Sequence, residues 1–161
     1  MTINQKCNVR GYCGIGIERA KTVANLGTLW RSAYCLGASF IFTIGDRYNP
    51  QSSDTVKAYR HIPYWRFKDW TDFQEHIPYD CRLIGMELTE TAEALENFCH
   101  PERAIYVLGP EDGSLSQEGI IACHYIVRFH SKFCLNVATA GAIVLWDRQT
   151  KQMQARRESE V

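Results

Sequence analysis

Three short segments of the chain combine glycine with polar side chains at a spacing that could hold a ligand and act on it. The first, NLGTLWR, places an amide at Asn25 and a guanidinium at Arg31 on one predicted helix. Arginine carries a rigid fork of donors that suits phosphate. The same spacing is typical of a helix that is capped by Asn25 and carries Arg31 on its surface, so both interpretations stand at this stage.

The second segment, VLGPEDGSLS, follows a buried apolar run with Gly-Pro and two carboxylates. Gly109 would let a ligand approach the backbone closely, and Pro110 would fix the turn. A plain turn before a helix capped by Ser116, with Glu111 and Asp112 in solvent, fits the same residues.

The third segment is FCLNVATAG, in which Asn136 is expected to cap the last helix. The small residues that follow it permit close helix packing, and packing alone would explain them. Each of the three segments is therefore a weak indication of a site by itself.

Apolar runs that alternate with helix-like segments must position these side chains. Strands are predicted over 12–18, 39–45, 64–68, 82–88, 104–109 and 125–129, and helices over 26–36, 69–76 and 136 to about 148. Gly37 is the expected residue just past the first helix. Strands separated by helices predict a parallel sheet covered on both faces, whose ligands bind beyond the carboxyl ends of the strands. The loops after Gly109 and Phe129 are therefore the expected place of a site.

Length and cysteine usage limit the class of protein. A chain of 161 residues and 18.5 kDa suits one domain, and neither a signal-peptide core nor an apolar run of about 20 residues is present. Seven cysteines without a CxxC pair favour reduced thiols in the cytoplasm. A zinc site formed by Cys7 and Cys13 would have an unusual spacing, and no metal is expected.

Taken together and in this order, the three segments resemble the motifs of the SpoU/TrmH class of SPOUT methyltransferases, over about residues 14–147. Asn-x-Gly-x-x-x-Arg, Gly-Pro-Glu and Ser-Leu-Asn-Val are that family's motifs. They are matched in turn by Asn25, Gly27 and Arg31; by Gly109, Pro110 and Glu111; and by Cys134, Leu135, Asn136 and Val137.

The resemblance implies an α/β fold of the SPOUT type, with a mostly parallel sheet flanked by helices and a C-terminal trefoil knot. It implies one domain over residues 1–161, knotted at about 82–150. The implied activity is methyl transfer from S-adenosylmethionine to a ribose 2′-hydroxyl of RNA, of tRNA more than rRNA, with a site completed across a homodimer. The cofactor would be held by Glu87, Leu108, Gly109, Phe129, Cys134 and Leu135. The ribose would be surrounded by Arg31, Asn25, Glu111 and Asn136.

Arg31 is the family's leading candidate for activating the hydroxyl. Arginine is far too basic to accept a proton at neutral pH. Arg31 would therefore need a displaced pKa, or else it positions the hydroxyl and a phosphate while another group takes the proton.

The chain departs from the family's pattern at three places. Cys134 stands where the family has serine, Phe129-His130 replaces Ile-Pro, and Ser114 replaces a glycine. These departures leave two alternatives open: a nucleophilic role for Cys134, and an RNA-binding or assembly factor that does not transfer methyl groups. A nicotinamide-binding domain, suggested by GYCGIG, lacks a well-placed G-x-G-x-x-G.

Cations interleaved with aromatic residues make the stretch 47–70 the expected RNA surface, because such residues contact phosphates and stack on unpaired bases. Its proposed contacts are Arg47, Lys57, Arg60 and Arg66, although a sheet edge with partly buried aromatics has the same composition. The formal charge is zero, from 18 basic and 18 acidic residues. Residues 1–68 hold 10 basic and 3 acidic residues, however, and residues 69–161 hold 8 and 15. A polyanion would be drawn to the basic half.

Overall fold

The computed structural model describes residues 11–47 and 60–159. These residues form seven strands, which are β1 (Tyr12–Glu18), β2 (Phe40–Ile44), β3 (Tyr64–Phe67), β4 (Arg82–Met86), β5 (Glu93–Ala94), β6 (Arg103–Leu108) and β7 (Tyr125–Arg128). The helices are α1 (Val23–Cys35), α2 (Trp70–Glu75), α3 (Gln117–Ala122) and α4 (Val137–Ser159), with a 3₁₀ turn at Leu95–Asn97. Lys57, proposed to contact RNA, and Cys7, considered as a zinc ligand, lie outside the described residues.

All strand pairs of the sheet are parallel, in the order β3-β2-β1-β6-β4-β7-β5. Strands β6 and β7 each enter between two strands that precede them in the chain. The strand order changes direction between β1 and β6, which places a crevice at the carboxyl ends of the central strands. The predicted parallel α/β sheet is confirmed.

Helices cover both faces of the sheet. Helices α1 and α4 pack together on one face, around a core that includes Leu29 and Val144. Helix α2 lies on the other face, where Trp70 and Phe73 join the second core cluster. A side chain at Gly141 of α4 would collide with Leu29, because its Cβ would lie 2.4 Å from Leu29 Cδ1. The small residues of the third segment thus serve helix packing as well.

Most predicted elements match the structure, and their boundaries differ at the helices. Helix α1 begins three residues before its predicted start, because Thr22 and not Asn25 is its N-cap. The interpretation of Asn25 as the cap is therefore wrong, whereas Gly37, with φ of +80°, follows the helix end as predicted. Helix α4 continues to Ser159 instead of ending near 148, since the residues after Arg148 are mostly strong helix formers.

Candidate functional site

A cavity of about 420 Å³ opens at the carboxyl ends of β4, β6 and β7, beside the start of α4. This size is typical of pockets for small ligands and cofactors. Its walls come from the loops after those three strands, as the sheet topology predicted. The lining residues are Met86–Leu88, Leu108–Ser114, Arg128, Phe129, Ser131, Cys134–Val137 and Ala140.

The residues proposed to hold the cofactor come together in this cavity. All six, Glu87, Leu108, Gly109, Phe129, Cys134 and Leu135, are among its lining residues. At Gly109 a Cβ would lie 2.9 Å from the backbone nitrogen of Leu115. Only glycine therefore lets the two arms of the loop at 109–115 approach this closely.

Glu111, proposed to lie beside the ribose, connects the rim of the cavity to helix α1. Its carboxylate accepts hydrogen bonds from the backbone N–H groups of Lys21 (2.8 Å) and Thr22 (3.0 Å). It also accepts from the Thr22 hydroxyl (3.0 Å) and from Nδ2 of Asn25 (3.1 Å). Helix α1 has no acidic residue in its first turn, so Glu111 supplies the negative charge that a helix N-terminus favours.

The pKa of Glu111 reflects two opposed effects. Partial burial acts to raise it, but hydrogen bonds from the backbone of Glu111, from Asn25, and from Lys21 and Thr22 together lower it below its ordinary value. Glu111 is thus a carboxylate at neutral pH, held in place by its donors. The alternative of a solvated turn residue does not describe it.

Asn25 and Asn136 extend this network to the last helix. Nδ2 of Asn136 donates to Oδ1 of Asn25 at 3.0 Å. Oδ1 of Asn136 accepts from the backbone N–H groups of Ala138 and Thr139, at 3.0 and 3.3 Å. Asn136 is therefore the predicted cap of α4 and also the link from that helix to Asn25 and Glu111. Three residues from the three motifs form one connected network.

A pair of carboxylates holds the loop that follows β6. Oε2 of Glu87 accepts from the backbone N–H of Leu115 at 2.6 Å, and Oε2 of Glu18 accepts from that of Ser116 at 2.8 Å. Glu18 is 2 % exposed, and its other oxygen accepts from Nε1 of Trp70 at 2.8 Å. The two adjacent backbone amides that follow the lining segment 108–114 are thus held by carboxylates at the ends of β4 and β1.

Two residues with a place in this arrangement were not among the predicted ones. Glu18 is a carboxylate at the end of a buried apolar strand, and that unusual setting was a signal in the sequence. Arg128 lines the cavity, and its Nε donates to the carbonyl of Ala92 at 3.2 Å. It is the last residue of β7, in the loop region where the sequence placed the site.

Arg31 lies apart from this network. It is exposed on α1, is not a lining residue, and has no hydrogen-bond or ion-pair partner among the described residues. In an α-helix it stands about 9 Å beyond Asn25 along the axis and about 120° around it. Within one chain, therefore, Arg31 does not join the other three proposed catalytic residues at the cavity.

The proposed RNA contacts are partly engaged in ion pairs. Arg47 binds Asp112, which also pairs with Lys21 at 3.1 Å, and hydrogen bonds from Arg47 and Lys21 hold the pKa of Asp112 well below its usual range. Nε of Arg66 contacts Asp46 at 2.7 Å. Arg60 lies at the start of the segment that leads into β3.

Within 11–47 and 60–159, no group of three or more His, Cys, Asp or Glu side chains is placed to hold a metal ion. No helix in that part of the chain is long and apolar enough to cross a membrane.

Solved structures with the same fold include several methyltransferases. AviRb from Streptomyces viridochromogenes, a SpoU methyltransferase solved with AdoMet, has a TM-score of 0.73 and 22 % identity, over 89 % of this chain and 59 % of that one. An AdoMet-bound rRNA methyltransferase from Sinorhizobium meliloti has a TM-score of 0.76 and 24 % identity, over 88 % and 57 %. This chain thus spans about three fifths of each of these two proteins.

A third solved structure is covered almost completely. It concerns the 2-OH methylation of C/U34 on tRNA, with a TM-score of 0.76 and 19 % identity, over 91 % of this chain and 99 % of that one. At these identities the likeness shows the fold. No curated protein matches the sequence.

The sequence itself matches a family model across most of its length, from residue 14 to residue 146. That span contains all three motifs, the cavity and the network around Glu111. The chain belongs to the SpoU rRNA methylase family.

Proposed function

We propose that this protein is an S-adenosylmethionine-dependent RNA methyltransferase that modifies a ribose 2′-hydroxyl, in tRNA more than in rRNA, in the cytoplasm. The observation that carries the proposal is the network of Glu111, Asn25 and Asn136, which joins one residue of each family motif at the rim of the cavity. We also propose one domain over residues 1–161, with the trefoil knot at about 82–150.

The cavity suits the cofactor in shape and in chemistry. Leu108, Phe129 and Leu135 provide apolar walls for a planar base, and the backbone around Gly109 allows close approach. Glu87 and Glu111 add carboxylates on the same lining, which complements a positively charged ligand. When bound, S-adenosylmethionine supplies a methyl group on a cationic sulfur.

The protein's own residues have to hold the ribose and dispose of its proton. A ribose hydroxyl attacks only as its proton leaves, so a donor or a base must touch it. Asn25 and Asn136 hold each other in one orientation at the rim, and much of the rate is expected to come from aligning the oxygen with the methyl group. Arg31 would position the hydroxyl and a phosphate, or take the proton with a displaced pKa.

A homodimer would bring Arg31 to a cavity. Arg31 is exposed and is not a lining residue of the cavity in its own chain, and a second copy of the chain would present it. Large apolar side chains are exposed beside the cavity and on α4: Phe133 is 83 % exposed and Trp146 is 61 % exposed. Exposed apolar surface of this kind marks protein interfaces. It supports a dimer that forms on the surface beside the cavity and α4.

The decisive experiment detects the product. Purified protein is incubated with methyl-labelled S-adenosylmethionine and with tRNA and rRNA from cells lacking the gene, and the nucleosides are analysed by mass spectrometry. We expect one 2′-O-methyl nucleoside to appear and the same nucleoside to be missing from the RNA of those cells. Unchanged profiles in both RNA classes would contradict the proposal and favour a binding or assembly factor.

The role of Arg31 is tested by Arg31→Ala, with the exposed Arg157→Ala as the matched control. We expect Arg31→Ala to lose transfer and to keep cofactor binding in calorimetry, because Arg31 is proposed to act on the ribose and a phosphate and does not line the cavity of its own chain. Co-expression of Arg31→Ala with Gly109→Val, which obstructs the cavity wall, should restore part of the transfer if the arginine acts across a dimer. No restoration would contradict a shared site.

A further inference from the structure

Tyr34, on the same helix as Arg31, stacks its exposed ring on that of His61, which lies just before β3. Resting on the proposed function, we propose that Tyr34 and His61 form a stacking platform for an unpaired base of the RNA, close to the nucleotide whose ribose Arg31 serves. The platform is a binding site for single-stranded RNA, distinct from the cavity and from the ion-paired arginines.

The two rings are already arranged as a stack. Their centroids are 4.4 Å apart and their planes differ by 18°. Tyr34 is 46 % exposed, and His61 is also exposed. Aromatic rings with a solvent-facing surface are what single-stranded RNA uses for stacking, because every base has a π-face.

Contacts of a buried side chain of α1 hold the platform in place. Nε1 of Trp30, a buried residue of α1, donates to the carbonyl of Ile62 at 3.2 Å, and the Trp30 ring lies 5.2 Å from that of Tyr64. These contacts fix the residues around His61 against the helix that carries Tyr34. The rings are therefore ordered before any ligand arrives, which lowers the entropic cost of binding.

The surroundings of the platform are basic. Helix α1 contains one charged residue, Arg31, and no carboxylate. Arg60 directly precedes His61, and residues 60–68 contain no acidic residue. Arg66 contacts Asp46, and the backbone N–H of Lys68 donates to the carboxylate of Asp72 at 2.8 Å. This charge favours a polyanion over an acidic protein surface.

The spacing along α1 relates the platform to the proposed reaction. Tyr34 is three residues beyond Arg31, so the two side chains are neighbours on the helix surface. Asn25, in the network at the cavity rim, lies about 13 Å before Tyr34 along the axis. Because Arg31 and Tyr34 share one helix, and His61 stacks on Tyr34, the platform accompanies Arg31 whichever copy holds the ribose.

The test uses fluorescein-labelled single-stranded RNA of mixed sequence, a duplex of equal length, and fluorescence anisotropy on the full chain. We expect Tyr34→Ala to weaken single-strand binding by about 5- to 150-fold, the range for loss of one stacked base, with a smaller effect on the duplex. His61→Ala should act in the same direction, and Tyr34→Phe should restore the affinity because it keeps the ring. Tyr79→Ala, an 88 % exposed tyrosine before β4, is the control.

Three results would overturn the platform. The first is wild-type affinity in Tyr34→Ala, and the second is an equal loss in Tyr34→Phe. The third is dissociation of a dimer by Tyr34→Ala in sedimentation, which would assign this face to a second copy of the chain. The wild-type protein could also fail to transfer methyl groups while its RNA affinity still depends on the rings of Tyr34 and His61. That result would contradict the proposed function and would support the platform.

Discussion

Replacing Glu18 by glutamine tests how the loop that follows β6, next to the cavity lining, is held. Glu18 is almost fully buried, and each of its oxygens accepts one hydrogen bond at 2.8 Å, from Nε1 of Trp70 and from the backbone N–H of Ser116. Glutamine keeps the shape and one acceptor. Its NH₂ group must then face one of the two donors, so one bond is lost and one buried donor has no partner.

The expected cost follows from that single lost bond. A hydrogen bond to a charged group contributes about 1.5–3 kcal/mol, and a protein of this size loses about 2–4 °C of Tm per kcal/mol. The Tm of Glu18→Gln should therefore fall by about 3–12 °C. Removing a buried charge also relieves its desolvation, which reduces the loss and favours the lower part of this range.

Differential scanning calorimetry measures the effect, with Glu118→Gln, an exposed carboxylate on α3, as the matched control. Amide NMR then separates the two carboxylates: Glu18→Gln should shift mainly the Ser116 amide, and Glu87→Gln mainly that of Leu115, because each carboxylate holds one of them. Cofactor affinity should fall in both variants. A Tm equal to or above that of the wild type, or equal shifts of both amides in each variant, would refute the reasoning.

Three further predictions concern charge and the thiol. Asp112→Asn should strengthen RNA binding and steepen its salt dependence, measured by anisotropy across a salt series, because Arg47 loses its carboxylate partner. Burial lowers the pKa of His100 despite its contact with Asp147, so the unfolded chain binds the proton more readily. The Tm of the wild type should therefore fall as the pH drops below about 6.5, the ordinary pKa of histidine. The fall should be smaller in His100→Asn. It should be as large as in the wild type in His130→Gln, which replaces an exposed histidine and serves as the control. Cys134→Ser should retain methyl transfer in the labelled-cofactor assay, and its loss would favour a nucleophilic thiol.

Much of the fold could be predicted because it depends on local patterns. Dense β-branched and aromatic runs predicted β1, β2, β4, β6 and β7 at nearly their observed bounds. The two-residue strand β5 was missed, since so short a segment has no period to detect. Parallel topology followed from the alternation of strands and helices, and it placed the carboxyl ends, and so the cavity, correctly.

The cavity's lining could also be predicted, although its internal contacts could not. The motif residues converge because the loops after β4, β6 and β7 lie on one edge of the sheet. The hydrogen bonds of Glu111 to α1 join residues about 90 positions apart, and those of Glu18 to Ser116 join residues 98 apart. No local pattern determines which of several loop carboxylates reaches a given donor.

The sequence alone determined most of the element types, the parallel sheet and the residue types gathered at its carboxyl edge, because the periodicity of apolar residues is a local pattern. The tertiary structure decided what those residues do to one another. It brought the carboxylate of Glu111 within hydrogen-bonding distance of the backbone just before α1, and it placed Arg47 in an ion pair with Asp112. It also placed Arg31 outside the cavity of its own chain. These outcomes depend on the distance between side chains on different elements, which only the packing of those elements sets.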